Sequence, residues 1–132
     1  MEIKFYRCDT CGNVITFLHA SGMKVMCCGK PMREMESNKE DAAEEKHVPC
    51  VCIDGYKVRV EVGEEPHPMT PEHYIKWILI ETENGSQLKE LKPGCKPMAT
   101  FSLCDGDKFK SAYAFCNIHG LWQSTKEGCS KC

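Results

Sequence analysis

Hydrophobic and polar residues alternate along several segments of the chain with the period of two that is typical of β-strands. Residues 56–62, YKVRVEV, place a tyrosine and three valines on one face and charged residues on the other. Residues 74–82, YIKWILIET, are apolar on both faces, as expected for a central strand. Residues 99–104 and 110–116 extend the series, and turns that contain glycine separate these segments. Short strands without a strong helix predict an all-β fold, an antiparallel β-sandwich.

The N-terminal part of the chain is predicted to form a separate unit, residues 1–36, with the sandwich in residues 37–132. Strand-like segments occupy residues 2–7 and 13–18, and a tight glycine turn follows each pair of cysteines. Because a segment this short cannot bury a core of ordinary size, it needs a cross-link such as a metal ion. Residues 34–46, EMESNKEDAAEEK, are mostly charged and lack an apolar face, which predicts a solvated linker.

The composition of the chain argues against two broad classes of function. The 132 residues include 17 Lys+Arg and 19 Asp+Glu, a net charge of -2, whereas general nucleic-acid binding requires a basic excess. No apolar run approaches the roughly 18 residues of a membrane span, and no signal peptide is recognised at the start. The 11 cysteines are odd in number and cluster with histidines, which favours metal binding over a disulfide framework. We therefore expect a cytoplasmic metalloprotein without a membrane or nucleic-acid partner.

Four cysteines in the N-terminal unit have the spacing of a metal site: Cys8, Cys11, Cys27 and Cys28. Two thiolates separated by two residues reach one ion without backbone strain. Four sulfurs in a tetrahedron suit zinc or a mononuclear iron. The spacing does not distinguish a structural zinc from a redox-active iron.

A second group of candidate ligands lies in loops beside the predicted strands: His47, His67, His73, Cys116 and His119. Three of these histidines have a proline within two residues, and proline fixes loop geometry where imidazoles must converge. Four imidazoles and one thiolate leave one open position on an octahedral ion, whereas structural zinc closes at four ligands. The group therefore predicts an iron centre that binds a small molecule.

Glu45 and Lys46 directly precede His47 in the sequence EEKH. Composition favours the interpretation that both residues simply end the charged linker. In the alternative interpretation, a mobile loop holds a cation and a carboxylate over the open position of the metal. A lysine placed there would attract an anion and hydrogen-bond to it.

Six motifs together give the chain a close resemblance to the desulfoferrodoxin family, the two-iron superoxide reductases. They occur in the family's order over nearly the whole chain: CDTCGN, MCCGKPM, EKHVP, HPMTPEHYIKWI, LKPG and CNIHGLW. The resemblance implies a desulforedoxin-like module over residues 1–36, with one iron on the four cysteines. It also implies an immunoglobulin-like β-sandwich over residues 37–132, with a second iron on the coplanar histidines and Cys116.

The resemblance further implies a reaction and partners. Superoxide would be reduced to hydrogen peroxide by one electron and two protons, without release of dioxygen, as antioxidant defence in an anaerobic or microaerophilic cell. Lys46 would steer superoxide, Glu45 would ligate the resting ferric ion, and backbone amides of Ile118 and His119 would tune the Cys116 sulfur. Members of the family are typically homodimers that receive electrons from rubredoxin or a similar carrier. The first iron is interpreted as an electron relay or store, or as a structural cross-link.

Six cysteines have no role in this interpretation: Cys50, Cys52, Cys95, Cys104, Cys129 and Cys132. Cys50 and Cys52 share a face of the strand that follows His47. Cys129 and Cys132 form a C-x2-C pair, for which we expect a flexible tail rather than a metal site or a redox pair. Two rival functions are a rubredoxin-like electron carrier and a zinc-containing β-sandwich that binds a partner, and the histidine group argues against both.

Overall fold

The structure is a computed structural model of the chain, and it describes residues 3–39 and 44–132. For residues 44 and 45 it describes the backbone alone. The chain divides into two compact units, which we call unit 1 (Met1–Glu36) and unit 2 (Ser37–Cys132). Within the described residues, no helix is long and apolar enough to cross a membrane.

Unit 1 contains a small antiparallel sheet and a hairpin. In the sheet, β1 (Phe5–Arg7) pairs with β2 (Val14–Thr16) on one side and with β5 (Arg33–Glu34) on the other. The hairpin pairs β3 (Met26–Cys27) with β4 (Lys30–Pro31). Among its described residues, the buried hydrophobic side chains are Phe5, Cys8 and Met35. Such a small apolar interior agrees with the predicted need for a cross-link.

Unit 2 contains two antiparallel sheets that follow a short helix, α1 (Glu44–His47). The first sheet has the order β10-β7-β6, with strands β6 (Pro49–Asp54), β7 (Lys57–Val62) and β10 (Met98–Ser102). The second has the order β12-β11-β8-β9, with strands β8 (Ile75–Thr82), β9 (Gly85–Glu90), β11 (Phe109–Cys116) and β12 (Gly120–Ser124). The all-β prediction is confirmed.

Residues from both sheets of unit 2 form one hydrophobic core. Its buried members are Val51, Val58, Val60, Val62, Ile75, Ile78, Ile80, Ala99, Phe101, Ala112, Ala114 and Cys116. The three valines of β7 point inward as the alternation predicts. Tyr56, which was expected on their face, is 60% exposed because it precedes the strand. The apolar run of β8 lies between β11 and β9, the interior position predicted for it.

Part of the predicted linker is ordered in the structure. The Asn38 side chain accepts a hydrogen bond from the Gln123 amide (2.8 Å) and donates to the Gln123 carbonyl (3.1 Å). The Asn38 amide donates to the Leu121 carbonyl at 2.9 Å. The prediction of a solvated linker over residues 34–46 is therefore wrong at Asn38. It is also wrong at Glu34, which lies in β5, and at Met35, which is buried in unit 1. Residues 40–43 lie outside the described residues.

The C-terminal residues also differ from the expected flexible tail. Glu127 forms a parallel bridge with Val51 of β6, and the Gly128 amide donates to the Val51 carbonyl at 2.7 Å. Two disulfides follow: Cys50–Cys129 and Cys52–Cys132. The expectation of a flexible tail was wrong, because a backbone hydrogen bond and two disulfides connect the C-terminal residues to β6, about 80 residues earlier in the chain. The other seven cysteines are free. The expectation that the chain contains no disulfides is therefore wrong only for these four cysteines.

Candidate metal centres

Unit 1 brings its four predicted ligands together at one point. The sulfurs of Cys8, Cys11, Cys27 and Cys28 all lie within 4.8 Å of one another. The Cys11 and Cys27 sulfurs are 3.6 Å apart. Metal–sulfur bonds of about 2.3 Å place the sulfurs of a tetrahedron about 3.8 Å apart. The cluster therefore fits one ion with four thiolate ligands.

Backbone turns at the two cysteine pairs arrange these sulfurs. The Gly12 amide donates to the Cys8 carbonyl at 2.9 Å, and Gly12 has a φ of 83° that favours glycine. The Cys11 amide donates to the Cys8 sulfur at 3.4 Å and holds the pKa of the Cys8 thiol at about 6. Hydrogen bonding with Cys11 raises the pKa of Cys28 to about 12. Without an ion the cluster therefore retains protons that metal binding would displace.

Unit 2 brings all five predicted donors of the second group together. One donor atom from each of His47, His67, His73 and Cys116 lies within 4.8 Å of the others. His47 Nε2 is 3.1 Å from His67 Nε2 and 3.0 Å from His119 Nδ1. His119 Nδ1 is also 4.0 Å from the Cys116 sulfur. Nitrogen atoms this close, pointing at one another, have the arrangement of ligands around a shared ion.

Burial favours the neutral form of His67 and His73, which is the form that binds a metal. His47 is 3% exposed and His67 is 2% exposed. Burial lowers the pKa of His67 to about 4 and also lowers the pKa of His73. His67 Nδ1 contacts the Pro68 carbonyl at 2.7 Å, which leaves Nε2 directed at the centre. His73 Nε2 is buried without a hydrogen-bond partner among the described residues, as a metal-free ligand atom would be.

Cys116 supplies the only sulfur of this second group. Its side chain is fully buried, and burial raises the pKa of its thiol. Hydrogen bonds from the backbone amides of His119 and Ile118 act in the opposite direction. The His119 amide lies 3.4 Å from the sulfur. These amides are therefore placed to moderate the negative charge of the thiolate, as the resemblance implies for Ile118 and His119.

Two residues that were not predicted as site residues, Asn117 and Trp122, hold the candidate ligands in place. Asn117 accepts a hydrogen bond from the Tyr74 amide (3.0 Å) and donates to the Glu72 carbonyl (2.9 Å), the two neighbours of His73. Trp122 stacks on His47 with ring centroids 4.8 Å apart. The Trp122 indole nitrogen donates a hydrogen bond to the His119 carbonyl at 3.0 Å. Both residues lie within the motif CNIHGLW, and this position is the sequence signal that could have indicated their role.

Lys46 lies beside the second group of ligands, at the end of α1. Its side chain is exposed, and its positive charge contributes to the lowered pKa of His73. The Lys46 backbone packs closely against Gly63, which has a φ of 85° and where a Cβ would lie 2.7 Å from the Lys46 Cα. The side chain of Glu45 lies outside the described residues, so its predicted role stays a prediction.

Together the fold and the ligand sets define a class of protein, a non-haem metalloprotein with a tetrathiolate unit and a sandwich that carries a histidine–thiolate centre. Residues 39–125 match the family described as Desulfoferrodoxin, and residues 1–35 match the family described as Desulfoferrodoxin, N-terminal domain. The chain belongs to the desulfoferrodoxin family.

Relatives cover nearly the whole chain. A desulfoferrodoxin homolog of Archaeoglobus fulgidus is 45% identical over 122 residues, which are 92% of this chain and 96% of the relative. The crystal structure of the superoxide reductase from Treponema pallidum is 40% identical, with a TM-score of 0.80, over 94% of this chain and 99% of that one. A one-iron superoxide reductase from Giardia intestinalis is 37% identical, with a TM-score of 0.54, over 63% of this chain and 98% of that one.

Proposed function

We propose that this chain is a superoxide reductase, which converts superoxide to hydrogen peroxide and releases no dioxygen. One observation carries the proposal, the convergence of four imidazoles and one buried cysteine on a single point of unit 2. The alignment with solved superoxide reductases supports it. The one-iron relative spans less than two thirds of this chain, which supports placing the reaction in one unit.

An iron ion fits the five donors of unit 2. Four histidines and Cys116 would hold the ion with five ligands, which suits an iron that also binds a small molecule, whereas structural zinc closes at four ligands. When bound, iron supplies the single electron that the reaction requires. One superoxide, one electron and two protons then give one hydrogen peroxide, so the reaction is balanced without dioxygen.

Lys46 is assigned to attracting superoxide. Its ammonium group is exposed next to the histidines, where it can hydrogen-bond to the anion or to a water that delivers protons. Because the whole chain has a net charge of -2, this attraction has to be local. Glu45 is proposed as a further ligand, whose carboxylate would bind an oxidised iron.

Cys116 is assigned to controlling the electron density at the metal. A buried thiolate is a strong electron donor, and hydrogen bonds to the sulfur weaken that donation. The amides of Ile118 and His119 supply such hydrogen bonds without bringing a charged side chain into the core. Burial also keeps water away from the sulfur.

A second iron on the four cysteines of unit 1 is assigned to electron relay or storage, or to stabilising that unit. Rubredoxin or a similar carrier is the proposed electron donor, and the proposed assembly is a homodimer. Tetrathiolate centres require a compartment that keeps thiols reduced, which supports a cytoplasmic location.

The products of the reaction test this function. Superoxide is supplied to the reduced, iron-loaded protein, and hydrogen peroxide and dioxygen are both measured. A reductase forms one peroxide per superoxide consumed and no dioxygen. A dismutase forms one peroxide per two superoxides together with dioxygen, and that result would overturn the proposal, as would the absence of any acceleration.

A further inference from the structure

Four cysteines of unit 2 that belong to neither metal centre converge at one place. The sulfurs of Cys50, Cys52, Cys129 and Cys132 all lie within 4.8 Å of one another. The last two lie beyond residues 39–125, the part of unit 2 that matches the family. We propose that in the reduced protein these cysteines form a third metal site, a tetrathiolate centre for one divalent zinc or iron ion.

Strand geometry supplies the first half of this site. Cys50 and Cys52 are two residues apart on β6, so their side chains project from the same face. Their partners on β7 are Glu61 and Arg59, which share that face. Val51 between them faces the core, so Cys50 and Cys52 lie on the opposite face of β6, where Cys50 is nevertheless only 5% exposed.

The C-terminal turn supplies the second half. The Cys132 amide donates to the Cys129 carbonyl at 3.1 Å, which closes a turn, and the two sulfurs are 3.8 Å apart. This separation matches the edge of about 3.8 Å expected for a tetrahedral metal–thiolate site. Cys8 and Cys11 use the same C-x2-C spacing in unit 1.

Charged side chains of β7 fix the turn and balance its charge. Arg59 donates to the Lys131 carbonyl at 3.2 Å, and Lys131 Nζ lies 3.1 Å from a Glu61 carboxylate oxygen. Four thiolates and a divalent ion carry a net charge of -2. Arg59, Lys131 and Glu61 together add a charge of +1, which lowers the net negative charge at this place to -1. The surroundings are therefore suited to an anionic metal centre.

The two disulfides and the bound ion are alternative states of the same four sulfurs. Two dithiol molecules supply four electrons and four protons to Cys50–Cys129 and Cys52–Cys132, giving four thiols and two oxidised dithiols. One divalent ion then displaces the four protons. The centre of unit 1 likewise requires reduced thiols, including the exposed Cys11, so the conditions that maintain it also favour the reduced state here.

Metal content of the full chain tests the proposal. The protein is reduced anaerobically with dithiothreitol, loaded with zinc or ferrous ion in separate samples, desalted and analysed for metal per chain. With either metal we expect one ion more per chain in the wild type than in the double variant C129S/C132S. The matched control C95S/C104S removes two exposed free cysteines and should bind as many ions as the wild type. The ion retained by protein grown with both metals distinguishes zinc from iron.

Equal metal content in wild type and C129S/C132S would overturn the proposal. A second measurement on the wild type does not depend on how the variant folds. Bound zinc should protect Cys50, Cys52, Cys129 and Cys132 of the reduced protein from alkylation by iodoacetamide, as mapped by mass spectrometry. Alkylation of these four cysteines at the same rate with and without zinc would also overturn it. Neither measurement involves superoxide, so the result is independent of the reductase activity.

Discussion

The two units of this chain differ in how far their folded structure depends on a bound metal ion. In unit 1 the described residues bury only three hydrophobic side chains, and one of them, Cys8, is itself a ligand. In unit 2 a continuous core from two sheets lies behind the histidines, and Cys116 is the only ligand that belongs to that core. The small unit therefore depends on its ion for structure, whereas the large unit has its structure before the ion arrives.

This difference explains how the donors are held. The four sulfurs of unit 1 are positioned by turns whose neighbouring residues are largely exposed, so the bonds to the metal complete the structure. In unit 2, Asn117 and Trp122 fix the loops of His73 and His47 through hydrogen bonds and ring stacking. A preorganised site of this kind leaves the metal free to change oxidation state without disturbing the fold.

Removing the ion of unit 1 should have the largest effect. Cys11→Ser is expected to abolish the absorption of the thiolate centre and the hydrogen-exchange protection of β1, because little apolar burial remains to stabilise the unit. Amides of β8 should stay protected and the reductase rate should survive. Cys95→Ser, which also replaces an exposed free cysteine, serves as the control. Retained protection of β1 without metal would break the comparison.

A cavity in the core of unit 2 should have the next largest effect. Phe101 is 1% exposed, so Phe101→Ala should lower the free energy of unfolding of unit 2 by about 3–5 kcal/mol. Urea denaturation of the metal-free protein, followed by Trp fluorescence, measures this loss. Leu88→Ala, at a position that is 55% exposed, should change stability by less than about 0.5 kcal/mol. Equal effects of the two substitutions would contradict the conclusion that the apolar core stabilises unit 2 without a metal ion.

Acidification should destabilise metal-free unit 2 by a smaller amount. The pKa of His67 is lowered from 6.5 to about 4, so the unfolded state binds more protons between these values. The free energy of unfolding should therefore fall as the pH falls through this window, by up to about 3 kcal/mol. Urea titrations at several pH values measure the slope, and His67→Gln should reduce it. An unchanged slope in this variant would assign the titration to another group.

Loss of Lys46 should have the smallest effect and should be confined to the reaction. Lys46→Ala is expected to lower the second-order rate with superoxide by roughly tenfold and to weaken its dependence on salt. Lys57→Ala, which removes an exposed lysine of β7, should leave the rate unchanged. Pulse radiolysis measures both variants. Equal rates in Lys46→Ala and wild type would remove Lys46 from the mechanism, while metal content should not change in either variant.

Much of the architecture could be predicted because its signals are local. The alternation at Val58, Val60 and Val62 gave the inward face of β7, and the apolar run of β8 gave an interior strand. The candidate ligands could be grouped because cysteine and histidine have few other reasons to cluster in loops. Their motifs then supplied the resemblance to the family, which the matches confirm.

The features that could not be predicted depend on contacts between distant parts of the chain. In the sequence Asn38 looks like an ordinary polar linker residue, because its hydrogen-bond partner Gln123 is 85 residues away. Cys50 and Cys129 are 79 residues apart, and neither sequence neighbourhood contains a signal for the other. Gly63 looks like an ordinary turn residue, since the close approach of the Lys46 backbone exists only in the folded chain.

The stacking of Trp122 on His47 has an optical consequence. Its indole ring is 4.8 Å from an imidazole that is a candidate metal ligand, a distance at which bound iron quenches emission efficiently. The other tryptophan, Trp77, is stacked on Phe115. A Trp77→Phe chain would thus emit from a single indole next to the histidines, and its brightness would report how many molecules carry iron in unit 2.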